Sequence, residues 1–191
     1  MSPTRMSLDD DLRMIPYAFV AKLAEGGMGE LCVVRHRELG DLAAMKLLKD
    51  DLSEHRQALT ERLRAEGRML RALAHENLVR VLDFGFSARG RPYLVTELLE
   101  GRSLKAELAL REVLPLGEVL EIAKQVLLGL EVVHAAGLVH RDIKPDNLFY
   151  CAQAEGGGNG GWRIVKLLDF GIAKILEDQG RFGALAPTAT G

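Results

Sequence analysis

The sequence predicts an α+β fold in two lobes: an antiparallel sheet carrying one helix, followed by a mostly helical part. Three observations point there. Short apolar runs separated by turn residues fill positions 17–96 around a single helical pattern. A long amphipathic pattern of helical period begins only after position 116. Between them, near Thr96 to Gly101, the periodicity changes, as expected where a short hinge joins two lobes.

Taken in order, residues 1–16 form an N-terminal extension, in which Met1 to Asp11 alternates polar and acidic residues without the apolar core of a signal peptide. Tyr17 to Leu23 and Glu30 to Arg37 read as strands, and Glu25-Gly26-Gly27-Met28-Gly29 between them suits a hairpin loop. Asp41 to Leu48 reads as a third strand. A helix fits Ser53 to Leu73, with Leu59, Leu63, Leu70 and Leu73 at helical spacing. Leu78 to Phe86 and Pro92 to Glu97 complete the strands of the first lobe, 17–96.

The second part, 97–191, starts with a helix from Gly117 to Ala136. Val119, Ile122, Ala123, Val126, Leu127, Leu130 and Val133 are expected on one face, with Gly137 ending the helix in a left-handed cap. Leu138-Val139, Leu148 to Tyr150 and Ile164 to Leu168 read as short apolar runs. The glycine-rich piece from Glu155 to Gly161 reads as a flexible hairpin insertion.

Composition sets the function classes. The chain has 191 residues, 48% hydrophobic and 27% charged, the balance of a soluble globular protein. A net charge of -2 offers no basic field for nucleic acid or an anionic membrane. No stretch reaches the roughly 18 apolar residues that cross a bilayer. Cys32 and Cys151 form no metal or redox pair, so a reduced, cytoplasmic protein is the default expectation. The five histidines show no metal spacing.

Several residues carry chemistry. Gly26, Gly27 and Gly29 let backbone N–H groups approach phosphate oxygens without an intervening side chain. Taken alone such a cluster is more often a plain turn. It is no Walker loop, because no Gly-Lys-Ser/Thr follows it. Lys46 lies within an apolar strand. Glu66 sits on the helical leucine stripe, at offsets of 7, 3, 4 and 7 residues from its four leucines. A carboxylate there is costly to bury without a cation, so Lys46–Glu66 is the expected pair, and a solvated Glu66 at the stripe's edge is the plainer alternative. The run His140-Arg141-Asp142-Ile143-Lys144-Pro145-Asp146-Asn147 is the strongest local signal. Asp142 can accept a proton from a hydroxyl, Lys144 can neutralise a moving phosphoryl group, and Asn147 can hold magnesium. His140 is expected as a packed support for the loop. Asp169, at the end of an apolar run in Asp169-Phe170-Gly171, suits a second metal contact. The same tripeptide at Asp83-Phe84-Gly85 precedes the loop and reads as a strand end without catalytic role.

As an ordered set these residues resemble the protein kinase superfamily, and among its members the bacterial eukaryotic-type (Hanks-type) serine/threonine kinases. The resemblance covers Tyr17 to the end of the chain and implies a protein kinase-like two-lobe fold. It implies ATP and Mg2+ (or Mn2+) as cofactors and Ser/Thr residues of proteins as substrates, with room for self-association in autophosphorylation. Leu23, Ala24, Glu25, Gly26, Gly27, Met28, Gly29, Glu30 and Leu31 resemble the phosphate-binding loop. Thr96 would be the gatekeeper behind adenine, and Glu97 to Leu99 the hinge whose backbone bonds its edge. Ala44, Leu31 and Phe149 would sandwich the ring. Lys46, Glu66, Asp142 and Lys144 would be catalytic, and Asn147 and Asp169 would hold the metal. Leu70, Val81, His140 and Phe170 would form the stacked spine of the active state.

Two departures stand out. Ala24 replaces the usual first loop glycine, which should stiffen the loop. The sequence ends 20 residues past Gly171, so it looks like roughly the first two thirds of such a domain. The expectation is a 1–191 chain of low stability and little activity. Arg141 would pair with a phosphorylated activation loop, for which Thr188 and Thr190 are the candidate acceptors. The competing readings are a pseudokinase serving as a nucleotide-binding module and a pure interaction fragment.

Overall fold

The computed structural model describes residues 8, 11–27, 29–48, 56–152 and 164–169. Met28, the glycine-rich piece 155–161, Phe170, Gly171, Thr188 and Thr190 lie outside them.

Five strands make the first sheet: β1 (Tyr17–Gly26), β2 (Gly29–His36), β3 (Leu42–Leu48), β4 (Val81–Phe86) and β5 (Pro92–Glu97). All neighbours pair antiparallel, in the order β1-β2-β3-β5-β4, with helix α1 (Arg56–Ala72) inserted after β3. The alternation of a strand decides what each face carries. On β3, Ala43, Met45 and Leu47 point to one side and are buried with Cys32, Val34 and Val95. Ala44 and Lys46 point to the other side, into a cleft. Lys46 is thus on a central strand; the cleft, and not an exposed sheet edge, accommodates its charge.

The extension is part of the first lobe's core. Leu8, Leu12 and Ile15 are buried against the Met45 face of the sheet. Asp11 is fully buried with them. The segment gives little helical or strand signal, because among its described residues the apolar contacts with the sheet are confined to Leu8, Leu12 and Ile15.

The Asp83-Phe84-Gly85 copy lies inside β4, not at its end. Phe84 packs against α1 at Gly67, where an added Cβ would meet the ring at 2.5 Å. Packing against the helix is its structural role.

The second part opens with β6 (Gly101–Ser103) and helix α2 (Leu104–Arg111), neither of which stands out in the sequence. Ser103 caps α2 by accepting from the Ala106 N–H at 3.2 Å. Helix α3 (Leu116–Ala135) follows, and Gly137 takes φ 74° after it, as its cap position requires. The buried residues of α3 are Ile122, Val126, Gly129 and Val133. Val119 and Leu127 are 44% and 65% exposed, so the packed stripe is rotated from the expected one. The reason is close approach at Gly129, where an added Cβ would lie 3.1 Å from the Asn77 carbonyl oxygen.

Leu138-Val139 is not a strand, and Val139 is 64% exposed. The chain there runs directly from α3 into the 140–147 loop, which ends in a 3-10 turn (Pro145–Asn147). Strands β7 (Leu148–Cys151) and β8 (Val165–Leu167) then pair with β6 in the order β6-β7-β8. One apolar cluster runs through both lobes, from Leu70, Val81 and Leu94 to Ile122, Leu148 and Leu167. Among the described residues no helix is long and apolar enough to cross a membrane.

Candidate active site

A cleft of about 800 Å³ lies between the lobes. Its roof is the β1–β2 hairpin, contributed by Leu23, Ala24, Glu25, Gly26, Gly27, Gly29, Glu30 and Leu31. Gly26 and Gly27 face open space, so backbone alone borders the cleft there. Gly29 is glycine for a different reason. It has φ 148°, and a Cβ would stand 2.2 Å from the Leu47 carbonyl oxygen of β3.

The back and side walls come from β3 and β5: Ala44, Lys46, Thr96, and then Glu97, Leu98 and Leu99. Glu97 is held by three hydrogen bonds. Its backbone N–H bonds the Arg80 carbonyl at 3.0 Å, while its carboxylate accepts from the Arg80 N–H at 2.8 Å and from Lys166 Nζ at 2.7 Å. The segment between the lobes is thereby tied to β8. Phe149 and Leu168 form the floor with Val79. Val79, Leu168 and Asp146 carry no sequence signal as site residues; they are ordinary members of apolar runs or polar loops.

The polar end of the cleft gathers Lys46, Lys144, Asp146, Asn147 and Asp169. Lys46 Nζ lies 2.7 Å from Asp169 Oδ2, across 123 positions of chain. Asp169 has φ 50° and Arg141 has φ 65°, both in the left-handed region that non-glycine residues rarely occupy. Such backbone persists because its surroundings overdetermine it. His140, 1% exposed, does that work for the loop. Its Nδ1 accepts from the Asp142 N–H at 3.3 Å, so its Nε2 donates to the Leu168 carbonyl at 2.6 Å. The Leu168 N–H in turn bonds the Asn147 carbonyl at 2.8 Å. This ring of bonds fastens the 140–147 loop to the residue before Asp169.

Asp142 is the centre of the loop. Asn147 Nδ2 donates to its carbonyl oxygen and to its Oδ2, each at 2.8 Å. Lys144 Nζ lies 2.8 Å from the same Oδ2. The hydrogen bond to Asp142 pushes the Lys144 pKa up, so the ammonium stays charged. Asp146 is bonded by Lys105 at 2.7 Å, which holds its carboxyl below the usual range. Glu66 is partly buried on α1. Leu70 and Val81 are buried in the same cluster, two members of the expected spine.

Magnesium is commonly held by one or two protein oxygens plus phosphate oxygens. The donor chemistry here fits that pattern. No group of three or more His, Cys, Asp or Glu suited to a metal occurs among the described residues. Asn147 spends its amide nitrogen on Asp142, which leaves its side-chain carbonyl oxygen as the atom that could meet a metal, and Asp169 lines the same cleft.

Residues 17–190 match the protein kinase domain family. Serine/threonine-protein kinase Pkn1 of Myxococcus xanthus is 37% identical over 84% of this chain and 22% of its own length. Serine/threonine-protein kinase PknA of Mycobacterium tuberculosis is 36% identical over 84% of this chain and 36% of its own length. The chain therefore spans a minor part of these curated relatives. Among solved structures, the PknI kinase domain of M. tuberculosis superposes with a TM-score of 0.71 at 29% identity, covering 83% of this chain and 59% of that one.

Proposed function

The chain belongs to the protein kinase family, and from that premise we propose that its protein transfers the ATP γ-phosphate to Ser or Thr hydroxyls of other proteins in a cytoplasmic signalling role. The observation that carries this reading is the convergence on Asp142. Its carboxylate is gripped by Asn147 and Lys144 at the polar end of a cleft roofed by a glycine-rich hairpin.

In this reading Asp142 accepts the proton of the substrate hydroxyl. The hydroxyl oxygen bonds the γ-phosphorus as the bond to the departing ADP oxygen breaks. Lys144 offsets charge on the moving phosphoryl group. Lys46 steadies the nucleotide phosphates, and Glu66 holds Lys46 from the α1 side. Gly26, Gly27 and Gly29 offer backbone N–H groups to the same phosphates. Ala44, Leu31 and Phe149 enclose the adenine, Thr96 closes the space behind it, and the backbone of 97–99 bonds its edge. Asn147 and Asp169 would hold Mg2+ or Mn2+, which supplies neutralisation of phosphate charge. Self-association would let one copy phosphorylate another.

The test is phosphate transfer by the full-length protein, compared with Asp142→Ala. We expect phosphoserine or phosphothreonine from the unmodified protein and a loss of about 100-fold or more in the variant. Tight Mg–ATP binding with no transfer by either protein would overturn the kinase reading in favour of a nucleotide-binding module.

A further inference from the structure

Among the described residues, the Arg91 side chain links the N-terminal segment to the root of the glycine-rich hairpin. Arg91 sits at the entry to β5 and its guanidinium meets three partners. One nitrogen lies 2.9 Å from Asp11 Oδ2 and another 3.2 Å from Glu30 Oε1. Its Nε donates to the Leu48 carbonyl at 2.9 Å. Asp11 is fully buried, and a buried carboxylate is tolerated only when paired and hydrogen-bonded. Ser87 Oγ completes its pairing at 2.7 Å. Asp11 and Ser87 therefore fix where the guanidinium points.

What it points at is the root of the hairpin. Glu30 stands directly across from Glu25 in the β1–β2 pairing, and Leu48 directly across from Gly29 in the β2–β3 pairing. Two carboxylates facing each other across a hairpin repel. Lys22 relieves this from one side, with its Nζ bonded to Glu25 and 3.4 Å from Glu30. Arg91 relieves it from the other side and also ties down the β3 carbonyl opposite Gly29. The root of the hairpin is thereby tied to β3 and to the entry of β5.

We propose that Arg91 is a positioning residue for the phosphate-binding hairpin, and that docking of the Leu8–Ile15 segment sets nucleotide affinity through it. A hairpin held in place beforehand loses less freedom when a nucleotide binds. Undocking the segment would strip Asp11 from Arg91 and loosen Glu30.

This inference rests on the nucleotide-binding reading of the cleft, so the experiment separates the two. Mg–ATP binding is measured by calorimetry on the full-length protein, alongside KM for ATP, kcat and melting temperature. If the unmodified protein binds no Mg–ATP, the reading of the cleft fails and the inference falls with it. Given binding, Arg91→Met is expected to weaken it about fivefold, raising KM with kcat little changed. Glu30→Gln should lose a similar factor, and the double variant no more than Arg91→Met alone, because both act through one contact. Val95→Ala trims the same buried cluster outside the segment; it should lower the melting temperature and leave binding unchanged. Unchanged binding in Arg91→Met, additive losses in the double variant, or a loss in Val95→Ala that tracks its melting temperature would each overturn the proposal. Should Arg91→Met fail to fold, Ser87→Ala is read instead. It removes the hydroxyl that orients Asp11, and unchanged binding in that variant would overturn the proposal as well.

Discussion

Asn147 donates both hydrogens of its side-chain amide to one residue, Asp142, at 2.8 Å to the backbone carbonyl and 2.8 Å to the carboxylate. The pair closes the loop on itself over five positions. It holds the Asp142 carboxylate in place and commits the amide nitrogen of Asn147, a residue that lines the cleft.

Replacing Asn147 by Ala should therefore damage turnover as well as stability. Its two lost hydrogen bonds cost about 2 kcal/mol of folding free energy in all. A misplaced base costs about 100-fold or more in kcat. The check is kcat against melting temperature for the full-length Asn147→Ala protein. Near-normal kcat would remove Asn147 from the site.

Gly67 offers a case where helix propensity and packing predict opposite signs. Alanine normally stabilises a helix interior over glycine by about 1 kcal/mol. Here its methyl group would stand 2.5 Å from the Phe84 ring and 2.9 Å from the Phe84 Cβ. The Cβ cannot swing away as a flexible chain end would, so overpacking of about 1–3 kcal/mol should win. Urea denaturation of Gly67→Ala should show a net loss, and a raised midpoint would refute the tight α1–β4 contact.

Cys32 predicts an alkaline weakness. Burial pushes its thiol up to about 11 from an ordinary value of 9.0, and the Glu30 charge adds to the effect. Above pH 9 the unfolded thiol loses its proton while the folded one keeps it. Folding then binds a proton, and stability falls as pH rises. The contribution is intact below pH 9 and is lost between about 9 and 11, up to about 2–3 kcal/mol. Unfolding midpoints under reducing conditions should drop over that range, and Cys32→Ala should flatten the drop. Tyr17 and Tyr93, also raised chiefly by burial, add to the slope that remains.

Much of the site was legible because it is encoded locally. Lys46 could be placed by strand alternation, which needs only its apolar neighbours. The 140–147 loop could be placed because its polar residues are packed into eight positions. Asp169 followed from an apolar run that ends in a carboxylate. The strands of the first lobe came within a few residues of their observed bounds, since turn residues bracket them. Helix α2 was missed because Leu104–Arg111 is short and its burial is confined to Leu104 and Glu107. The α3 stripe was placed partly off its packed face: Ile122, Val126 and Val133 are buried as expected while Val119 and Leu127 are exposed, because leucine and valine surround that helix and periodicity alone cannot choose among them.

The amino-acid order was sufficient for the family, the two-lobe plan and the identity of the chemical groups, since each depends on residue type and short spacing. Folding alone reveals the partners across distance. Lys46 meets Asp169 over 123 positions, and Arg91 meets Asp11 over 80. No local pattern encodes either pair. A charged side chain chooses its partner by what is close, correctly aimed and desolvated once the chain has closed, and only the packed core brings those groups together.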